Sequence, residues 1–276
     1  MEGIIIKIIS NDCTVFASGI SYVCKPRGIF RKHNIVPLVG DKVLFYEKDQ
    51  IITEILPRKN ELIRPKIANV DCAFIIVSVK KPDLDLNLLD KLLVTIEYNN
   101  IVPVICLTKL DLLDNKENIL KIRKYYEKIG YLVFENTKLE EIRKYFNNKT
   151  IVFTGQSGAG KSTLLNMLSE NLNIKTNEIS LALGRGKHTT RHVELISMFG
   201  GNVADTPGFS SLDFHDMTNL DIRDNFIDFN LYRDMCKYKD CMHDKDDNCI
   251  IKEKVLSGDI LKSRYENYLK FISREK

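Results

Sequence analysis

The chain has 276 residues, of which 44% are hydrophobic and 28% are charged, as is ordinary for a soluble globular protein of one large domain or two to three small ones. The net charge of +4 is mildly basic and gives weak support for a polyanionic partner. No apolar run approaches the roughly 20 residues of a membrane-spanning helix, and the opening MEGIIIKIIS does not resemble a secretory signal. Seven cysteines in such a chain predict reduced thiols and a cytoplasmic protein, not a disulfide framework.

The first 66 residues contain five short runs rich in β-branched residues, separated by turn signals: GIIIKII, CTVFAS, SYVCKP, KVLFYEK and IITEILP. This pattern predicts a small all-β barrel. Between the third and fourth runs the chain is basic, with no acidic residue before Asp41, through Lys25, Arg27, Arg31 and Lys32. On a barrel such a loop is suited to nucleic-acid phosphates; the alternative is a solvated basic loop on a structural β module.

From Asn69 onward, apolar runs of strand length alternate with helical patterns: VDCAFIIVSV, IVPVICL, YLVFE and TIVFT against LDLNLLDKLLVTIEYNN, ENILKIRKYYEKIG and EEIRKYF. This alternation predicts an α/β domain with a mainly parallel sheet. From about Phe214 the chain changes again, with three cysteines in a short span and then the helical pattern VLSGDILKSRYENYLKFI. We therefore predict a multidomain α/β protein with domains at 1–66, 67–214 and 215–276.

The stretch GQSGAGKST matches the phosphate-binding pattern G-x-x-x-x-G-K-[ST]. A strand-like run precedes it and a helical run follows, which is the context that disfavours a glycine-rich turn without a ligand. Backbone N–H groups and the helix N-terminus are expected to bind phosphates. Lys161 should reach the β- and γ-phosphates, and Ser162 should ligate Mg²⁺. The predicted nucleotide contacts here are Gly155, Gln156, Ser157, Gly158, Ala159, Gly160, Lys161, Ser162 and Thr163.

Two further segments follow the phosphate loop. In NVADTPGF, Asp205 ends an apolar stretch and is expected to hold Mg²⁺ through water, while the Gly208 N–H contacts the γ-phosphate. In LGRGKHTTRHVEL, a threonine is expected to close over the Mg²⁺ and γ-phosphate as a switch. Taken alone, each segment is equally a simple turn, but their positions after a phosphate loop favour the nucleotide interpretation.

The base-reading motif lies upstream of the phosphate loop. CLTKLDLL places Thr108, Lys109, Leu110 and Asp111 directly after the buried run IVPVICL. The Asp111 carboxylate can accept from guanine N1–H and the 2-amino group, which adenine lacks, and the Lys109 stem can stack over the base. About 25 residues on, Asn136 and Thr137 occupy the place of a second base-contacting loop. The order of motifs is therefore circularly permuted relative to an ordinary GTPase.

The C-terminal segment RDMCKYKDCMHDKDDNCI contains a Cys₃His set with the spacing C-x4-C-x-H-x5-C: Cys236, Cys241, His243 and Cys249. Three thiolates and one imidazole close a tetrahedral shell, which indicates structural rather than catalytic zinc. The alternatives are unrelated free cysteines or a disulfide. The remaining cysteines are expected to be packing residues: Cys13, Cys24, Cys72 and Cys106.

Through TKLD, GQSGAGKST, GRGKHTT, DTPGF and the cysteine–histidine knuckle, in that order, the whole chain closely resembles the ribosome small-subunit-dependent GTPase family. The resemblance implies an N-terminal OB-fold barrel, a circularly permuted P-loop GTPase domain and a C-terminal helical zinc domain. It further implies slow GTP hydrolysis that the 30S subunit stimulates, contacts with 16S rRNA in late assembly, one structural Zn²⁺ and Mg²⁺ with GTP or GDP. We expect a monomer with no membrane partner.

The chain departs from the family at several points. Thr108 stands where most members have Asn, and Asn136-Thr137 stands where Ser-Ala is usual. Phe209 follows DTPG where many GTPases have the Gln that orients the attacking water, so another group must do this, and His188 is the candidate. The family alignment favours Thr190 over Thr189 as the Mg²⁺-sensing residue. The competing functions are a kinase or ATPase, and an RNA-binding module in which nucleotide is only structural.

Overall fold

The computed structural model describes residues 1–62, 66–169, 193–205, 214 and 216–274. The chain divides into two compact units. The first unit comprises Met1–Phe74, Thr137–Thr154 and Lys161–Ser210; the second comprises Ile75–Asn136, Gly155–Gly160 and Ser211–Lys276. The segment 67–214 therefore contributes to both units.

The first unit begins with five strands and one short helix: β1 (Glu2–Ile9), β2 (Asp12–Ala17), β3 (Ile20–Pro26), α1 (Ile29–Lys32), β4 (Lys42–Tyr46) and β5 (Ile51–Ile55). The strands pair in the order β1-β2-β3-β5-β4, and β4 pairs back onto β1, so that the sheet closes into a barrel. Alternate residues point inward, and the barrel core contains Ile5, Val15, Val43, Phe45 and Ile52. The predicted barrel is confirmed, because the period-two pattern of each run puts one face in this core.

The elements after the barrel follow in chain order. They are β6 (Glu61–Leu62), β7 (Ile67–Ala68), β8 (Cys72–Ser78), α2 (Leu86–Tyr98), β9 (Val102–Thr108), α3 (Glu117–Lys128), β10 (Leu132–Glu135), α4 (Leu139–Phe146), β11 (Thr150–Gly155), α5 (Lys161–Ser169), β12 (Glu194–Met198), β13 (Gly201–Asp205), α6 (Asn219–Asp224), α7 (Ile227–Asn230), α8 (Ile250–Leu256) and α9 (Lys262–Ser273). No helix of the described part of the chain is long and apolar enough to cross a membrane.

A buried ion pair fixes the chain that leaves the barrel. The Asp41 side chain is fully buried, and its Oδ1 lies 2.7 Å from Nε of Arg58. Its other oxygen accepts from the Leu38 N–H at 2.7 Å, so both carboxylate oxygens are satisfied. Close by, Gly40 has a φ of +90°, and a Cβ at this position would meet the Ala68 carbonyl oxygen at 2.1 Å. Only glycine allows this approach between the barrel loop and β7.

The strands of the α/β part that belong to the first unit continue from the barrel. β11 runs parallel to β13, β13 is antiparallel to β12, and β12 is antiparallel to β1. Strand β1 changes its partner along its length: Glu2–Ile4 pairs with β4, whereas Lys7 pairs with Glu194 of β12. The register of β1 against β2 shifts between Ile5 and Lys7, and such a bulge bends a strand. The bulge therefore marks where β1 passes from the barrel to β12.

The second unit contains the strands that carry the TKLD and Asn136 segments, and the C-terminal helices. β9 and β10 are parallel, and β9 lies beside β8. Helix α2 is capped by Asp85, whose Oδ1 accepts from the Leu88 N–H at 3.0 Å. The apolar face of α2 contributes Val94 to a hydrophobic core that it shares with the C-terminal region. The same core contains Phe226 and Tyr268. The C-terminal helices are therefore packed onto α2.

The helical pattern over 255–272 forms two helices instead of one. α8 ends at Leu256 and α9 begins at Lys262, with Gly258 between them at a φ of +80°. Since glycine readily adopts this left-handed conformation, Ser257-Gly258 ends the first helix. The four cysteines expected to be packing residues are confirmed as buried free thiols: Cys13, Cys24, Cys72 and Cys106.

Candidate nucleotide and metal sites

The carboxyl ends of two parallel strands place the base-reading residues side by side. β9 ends at Thr108, and Leu110–Leu112 form a 3₁₀ turn directly after Lys109. In the neighbouring strand, β10 ends one residue before Asn136, whose N–H donates to the Leu107 carbonyl at 2.9 Å. Asn136 thus lies next to the TKLD turn, where the sequence predicts a second base-contacting loop. The Asp111 side chain is exposed, which leaves its carboxylate accessible to a ligand.

Thr108 connects the base-reading turn to the phosphate loop. Its side chain is 2% exposed, and its hydroxyl donates to the Ala159 carbonyl at 2.6 Å. A buried carbonyl without a partner would cost about 1–3 kcal/mol. The threonine in place of the usual asparagine therefore has a defined partner, and the second unit holds base motif and phosphate loop together through it.

Lys109 makes a second connection to the phosphate loop. Its φ of +61° is in the left-handed region, and its ammonium donates to the Gly158 carbonyl at 2.8 Å and also to the Lys81 carbonyl. The lysine thereby joins three segments of the second unit: the TKLD turn, the phosphate loop and the loop after β8.

The phosphate loop needs its glycines at specific positions. Gly155 has a φ of +133°, and a Cβ there would lie 2.2 Å from the Ile76 carbonyl oxygen. Gly160 has a φ of +101° and faces Thr108. Any side chain at Gly155 would clash with β8, so the loop's backbone lies against this strand. The chain then enters α5 directly, with Lys161 and Ser162 exposed in its first turn.

Asp205 is the last residue of β13 in the first unit. Because β13 is parallel to β11 and pairs Ala204 with Val152, the two strands end at the same edge of the sheet. Across the antiparallel β12, the register partner of Asp205 is Glu194, which also pairs with Lys7 of the barrel. The other predicted switch and catalytic residues lie outside the described residues: His188, Thr189, Thr190 and Gly208.

The four predicted metal ligands converge. One ligand atom from each of Cys236, Cys241, His243 and Cys249 lies within 4.8 Å of all the others. His243 Nδ1 is 3.7 Å from Sγ of Cys236 and 3.4 Å from Sγ of Cys249. Zinc bonds of about 2.3 Å to sulfur and 2.0–2.1 Å to nitrogen give a tetrahedron with edges of roughly 3.5–3.8 Å. The observed separations therefore fit a Cys₃His shell.

The surroundings of His243 also fit a metal. Its Nε2 is buried and has no hydrogen-bond partner in the described part of the chain. Its Nδ1 faces the sulfurs of Cys236 and Cys249. Burial lowers the pKa of His243 to about 4, which keeps the imidazole neutral and able to ligate. Burial also raises the pKa of Cys241 to about 12, so a thiophilic ion must displace a proton there. The donor set is suited to Zn²⁺.

The predicted RNA-binding residues are all exposed on the barrel: Lys25, Arg27, Arg31 and Lys32. Helix α1 is anchored by the buried Phe30. The other residues of the helix, Ile29, Arg31 and Lys32, are exposed. Lys25 and Arg27 line an open depression with Val23 and Ile51, both exposed apolar residues. The exposed cations match the positively charged groove of a single-stranded nucleic-acid platform, whereas the aliphatic Val23 and Ile51 offer no aromatic ring on which a base could stack.

Sequence reasoning missed a buried charge cluster in the second unit. Arg264 is fully buried, and its guanidinium lies 2.6 Å from Asp90 Oδ1 and 2.7 Å from Asp228 Oδ1. Tyr126 and Tyr125 donate their hydroxyls to the same two carboxylates. Burial alone would lower the pKa of Arg264, but the two carboxylates outweigh it and raise the pKa well above its ordinary value. The available signal was Asp90 on the apolar face of α2, between Leu89 and Leu93.

Known proteins share this architecture. The family model described as RsgA GTPase matches residues 55–215, and the RsgA N-terminal domain matches residues 2–52. The small ribosomal subunit biogenesis GTPase RsgA of Enterococcus faecalis is 48% identical over 99% of this chain and 94% of its own length. The protein of that name from Bacillus subtilis is 44% identical over 100% of this chain and 97% of its own length.

Two solved structures are similar throughout. YloQ, described as a circularly permuted GTPase, has a TM-score of 0.83 and 40% identity, covering 99% of this chain and 94% of its own. YjeQ from Thermotoga maritima has a TM-score of 0.83 and 34% identity, covering 99% and 97%. Together with the base motif that precedes the phosphate loop and bonds to it, these matches show that the chain belongs to the RsgA family of circularly permuted GTPases.

Proposed function

We propose that this GTPase acts in biogenesis of the small ribosomal subunit, hydrolysing GTP to GDP and phosphate at a rate that the 30S subunit stimulates. The observation that best supports the guanine site is the bond from Thr108 to Ala159, which joins a TKLD turn to a phosphate loop. The assembly role is supported by the names of relatives that match this chain almost end to end.

The proposed nucleotide contacts divide between base and phosphates. Asp111 accepts from the guanine edge, with Thr108, Lys109, Leu110 and Asn136 shaping that side of the site. The phosphates are bound by the backbone and side chains of 155–163, and Lys161 neutralises charge on the β- and γ-phosphates. Bound Mg²⁺ would supply further charge neutralisation, and its proposed ligands are Ser162, Thr190 and Asp205. Gly208 contacts the γ-phosphate.

We assign the positioning of the attacking water to His188, since Phe209 cannot accept or donate a hydrogen bond. Exchanging His188 for Ala should lower the 30S-stimulated rate by about 10²-fold or more, the usual range for a proton-transfer or water-orienting group. A His188→Ala chain that keeps the wild-type stimulated rate while binding GTP normally would remove this residue from catalysis.

The Cys₃His cluster would hold one structural Zn²⁺, since four protein ligands leave no open position for a substrate. The barrel would contact 16S rRNA through Lys25, Arg27, Arg31 and Lys32, mainly at phosphates, which gives affinity with little sequence reading. Work on the ribosomal subunit would take place in the cytoplasm.

The base site is tested by an Asp111→Asn exchange. An asparagine amide matches xanthine better than guanine, because it can donate to the 2-oxo group. We expect the wild type to prefer GTP over XTP and ATP, and the variant to lose GTP affinity and gain XTP affinity in equilibrium titrations. An Asp111→Asn chain with full preference for GTP over XTP would show that the base is read elsewhere. Equal use of ATP by the wild type would favour a kinase or ATPase.

A further inference from the structure

Helix α9 holds the metal-binding loop by two tyrosines. The Tyr265 hydroxyl donates to the His243 carbonyl at 2.7 Å, and the Tyr268 hydroxyl donates to the Met242 carbonyl at 2.5 Å. Tyr268 is fully buried. The two carbonyls belong to a metal ligand and to the residue before it, so the position of α9 depends on the conformation of this loop.

The same helix holds the first turns of α2 from its other face. The side-chain amide of Asn267 donates to the Leu86 carbonyl at 3.1 Å and to Asp90 Oδ2 at 2.7 Å. In return, the Asn87 amide donates to Asn267 Oδ1 at 3.0 Å. One turn earlier on α9, Arg264 forms its buried ion pair with Asp90.

The segment just before α2 in turn holds the base-reading turn. The Val79 N–H donates to the Thr108 carbonyl at 3.2 Å, and the Lys80 ammonium donates to the Leu112 carbonyl at 3.0 Å. The Lys81 carbonyl accepts from the Lys109 ammonium. Only residues 82–85 separate these contacts from the start of α2.

We propose that α9 couples metal binding at the Cys₃His cluster to guanine-nucleotide binding at the TKLD turn, with Asn267 as a positioning residue for the base site. The metal fixes the loop of 236–249, the loop fixes α9, and α9 fixes the start of α2 and thereby the segment that anchors Lys109. This inference rests on the proposed function, because it needs both a metal and a guanine site. By linkage, nucleotide must strengthen metal binding by the same factor.

The contacts between α9 and α2 are buried, and this burial explains why a movement of α9 carries α2 with it. Separating α9 from α2 would break the buried ion pair of Arg264 with Asp90 and leave the Asp90 carboxylate with the Tyr126 hydroxyl but no cation. A buried charge that loses its ionic partner is strongly destabilising. The two helices also share one aromatic core, in which Tyr268 packs against Phe226 and Phe229. A change in the metal loop therefore shifts α9 and α2 together.

The test measures nucleotide affinity of the full-length chain with and without metal. Zinc-loaded and chelator-stripped wild type are titrated with the fluorescent analogue mant-GDP, with helical content followed by circular dichroism. We expect binding at least fivefold weaker after stripping, the lower end of typical allosteric coupling. In the Asn267→Ala variant, removal of the metal should weaken mant-GDP binding by less than twofold. Glu266 is an exposed neighbour on α9, and in the Glu266→Gln variant removal of the metal should weaken mant-GDP binding as much as in wild type.

If removal of the metal also unfolds the helices, a second measurement tests the proposal. Zinc affinity is then determined by competition with a chromophoric chelator, with and without saturating GDP. The proposal expects a GDP effect on zinc affinity in wild type that is largely lost in Asn267→Ala. Linkage through global folding alone would leave this effect unchanged in the variant, and that result would overturn the proposal. So would equal mant-GDP affinities of loaded and stripped wild type. If zinc-loaded wild type binds no GDP, the proposed function itself fails.

Discussion

The Thr108 side chain joins two motifs, since its bonding partner Ala159 lies 51 residues further along the chain. Its hydroxyl is the right length to reach the Ala159 carbonyl while its methyl group remains in the buried strand end. This bond connects the TKLD turn to the phosphate loop within the second unit. From the sequence alone, TKLD predicted guanine preference, but this partner could not be derived, because it depends on the fold of the second unit.

Exchanging Thr108 for Val removes the hydroxyl at nearly constant volume and leaves the Ala159 carbonyl buried without its partner. The loss of about 1–3 kcal/mol predicts roughly five- to 160-fold weaker GDP binding if the whole cost falls on the bound loop conformation. Equilibrium titration with mant-GDP checks this. Thr108→Ser keeps the hydroxyl and should stay within about twofold of wild type. A valine variant with wild-type affinity would mean that the bond does not order the loop.

Glu97 on α2 provides a prediction about pH. Burial raises the pKa of this carboxyl to about 6, and the Arg264 charge only partly opposes the shift. In the unfolded chain its pKa is lower, about 4.3. The folded state therefore binds more protons between these values, and the contribution of Glu97 to stability falls as pH rises through this window.

Replacing Glu97 by Gln should remove that loss. At pH 7.5 the variant should be more stable than wild type by about 2 kcal/mol, and at pH 4 the difference should nearly vanish. Urea unfolding of both chains at the two pH values measures the difference, which cancels the titration of all other groups. A variant that is less stable than wild type at pH 7.5 would show that the Glu97 carboxylate is stabilised by its surroundings.

At the level of elements, the sequence predicted the regular pieces better than their ends. The five barrel strands follow from short runs rich in β-branched residues and bounded by turn signals, and each strand lies within a few residues of its prediction. The break between α8 and α9 was missed, because a single glycine inside a helical pattern is compatible with a continuous helix. The Asp90–Arg264 pair could not be foreseen, since its partners lie 174 residues apart and only packing brings them together.

The pairing of β1 with β12 links the barrel to the strand that begins opposite Asp205. Lys7 and Glu194 form an ion pair of 2.8 Å at this junction, and both side chains are about one-third exposed. Partial exposure limits such a pair to about 1 kcal/mol or less. Lys7→Glu places two carboxylates opposite each other and should destabilise the chain beyond the loss of the pair.

The charge-swapped double variant, Lys7→Glu with Glu194→Lys, should recover most of the stability lost in the single variant. The midpoint of thermal unfolding compares wild type, both single variants and the swap. If the double variant were destabilised by as much as the two single variants added together, the ion pair would contribute nothing to the β1–β12 junction.

At the scale of the whole molecule, the two appended regions share compact units with different parts of the GTPase fold. The TKLD turn shares its unit with the Cys₃His cluster and the C-terminal helices, whereas the strand ending at Asp205 shares its unit with the barrel. Under the proposed function, each region is therefore connected within its own unit to a different set of the proposed nucleotide contacts.

The most direct test of the proposed function is steady-state GTP hydrolysis by the purified chain, with and without purified 30S subunits and with ATP run in parallel. We expect slow hydrolysis of GTP alone, a rise of at least tenfold with 30S subunits, and no comparable rise with ATP. An unchanged GTP rate in the presence of 30S subunits, or equal stimulation with ATP, would show that this chain is not a GTPase triggered by the small subunit.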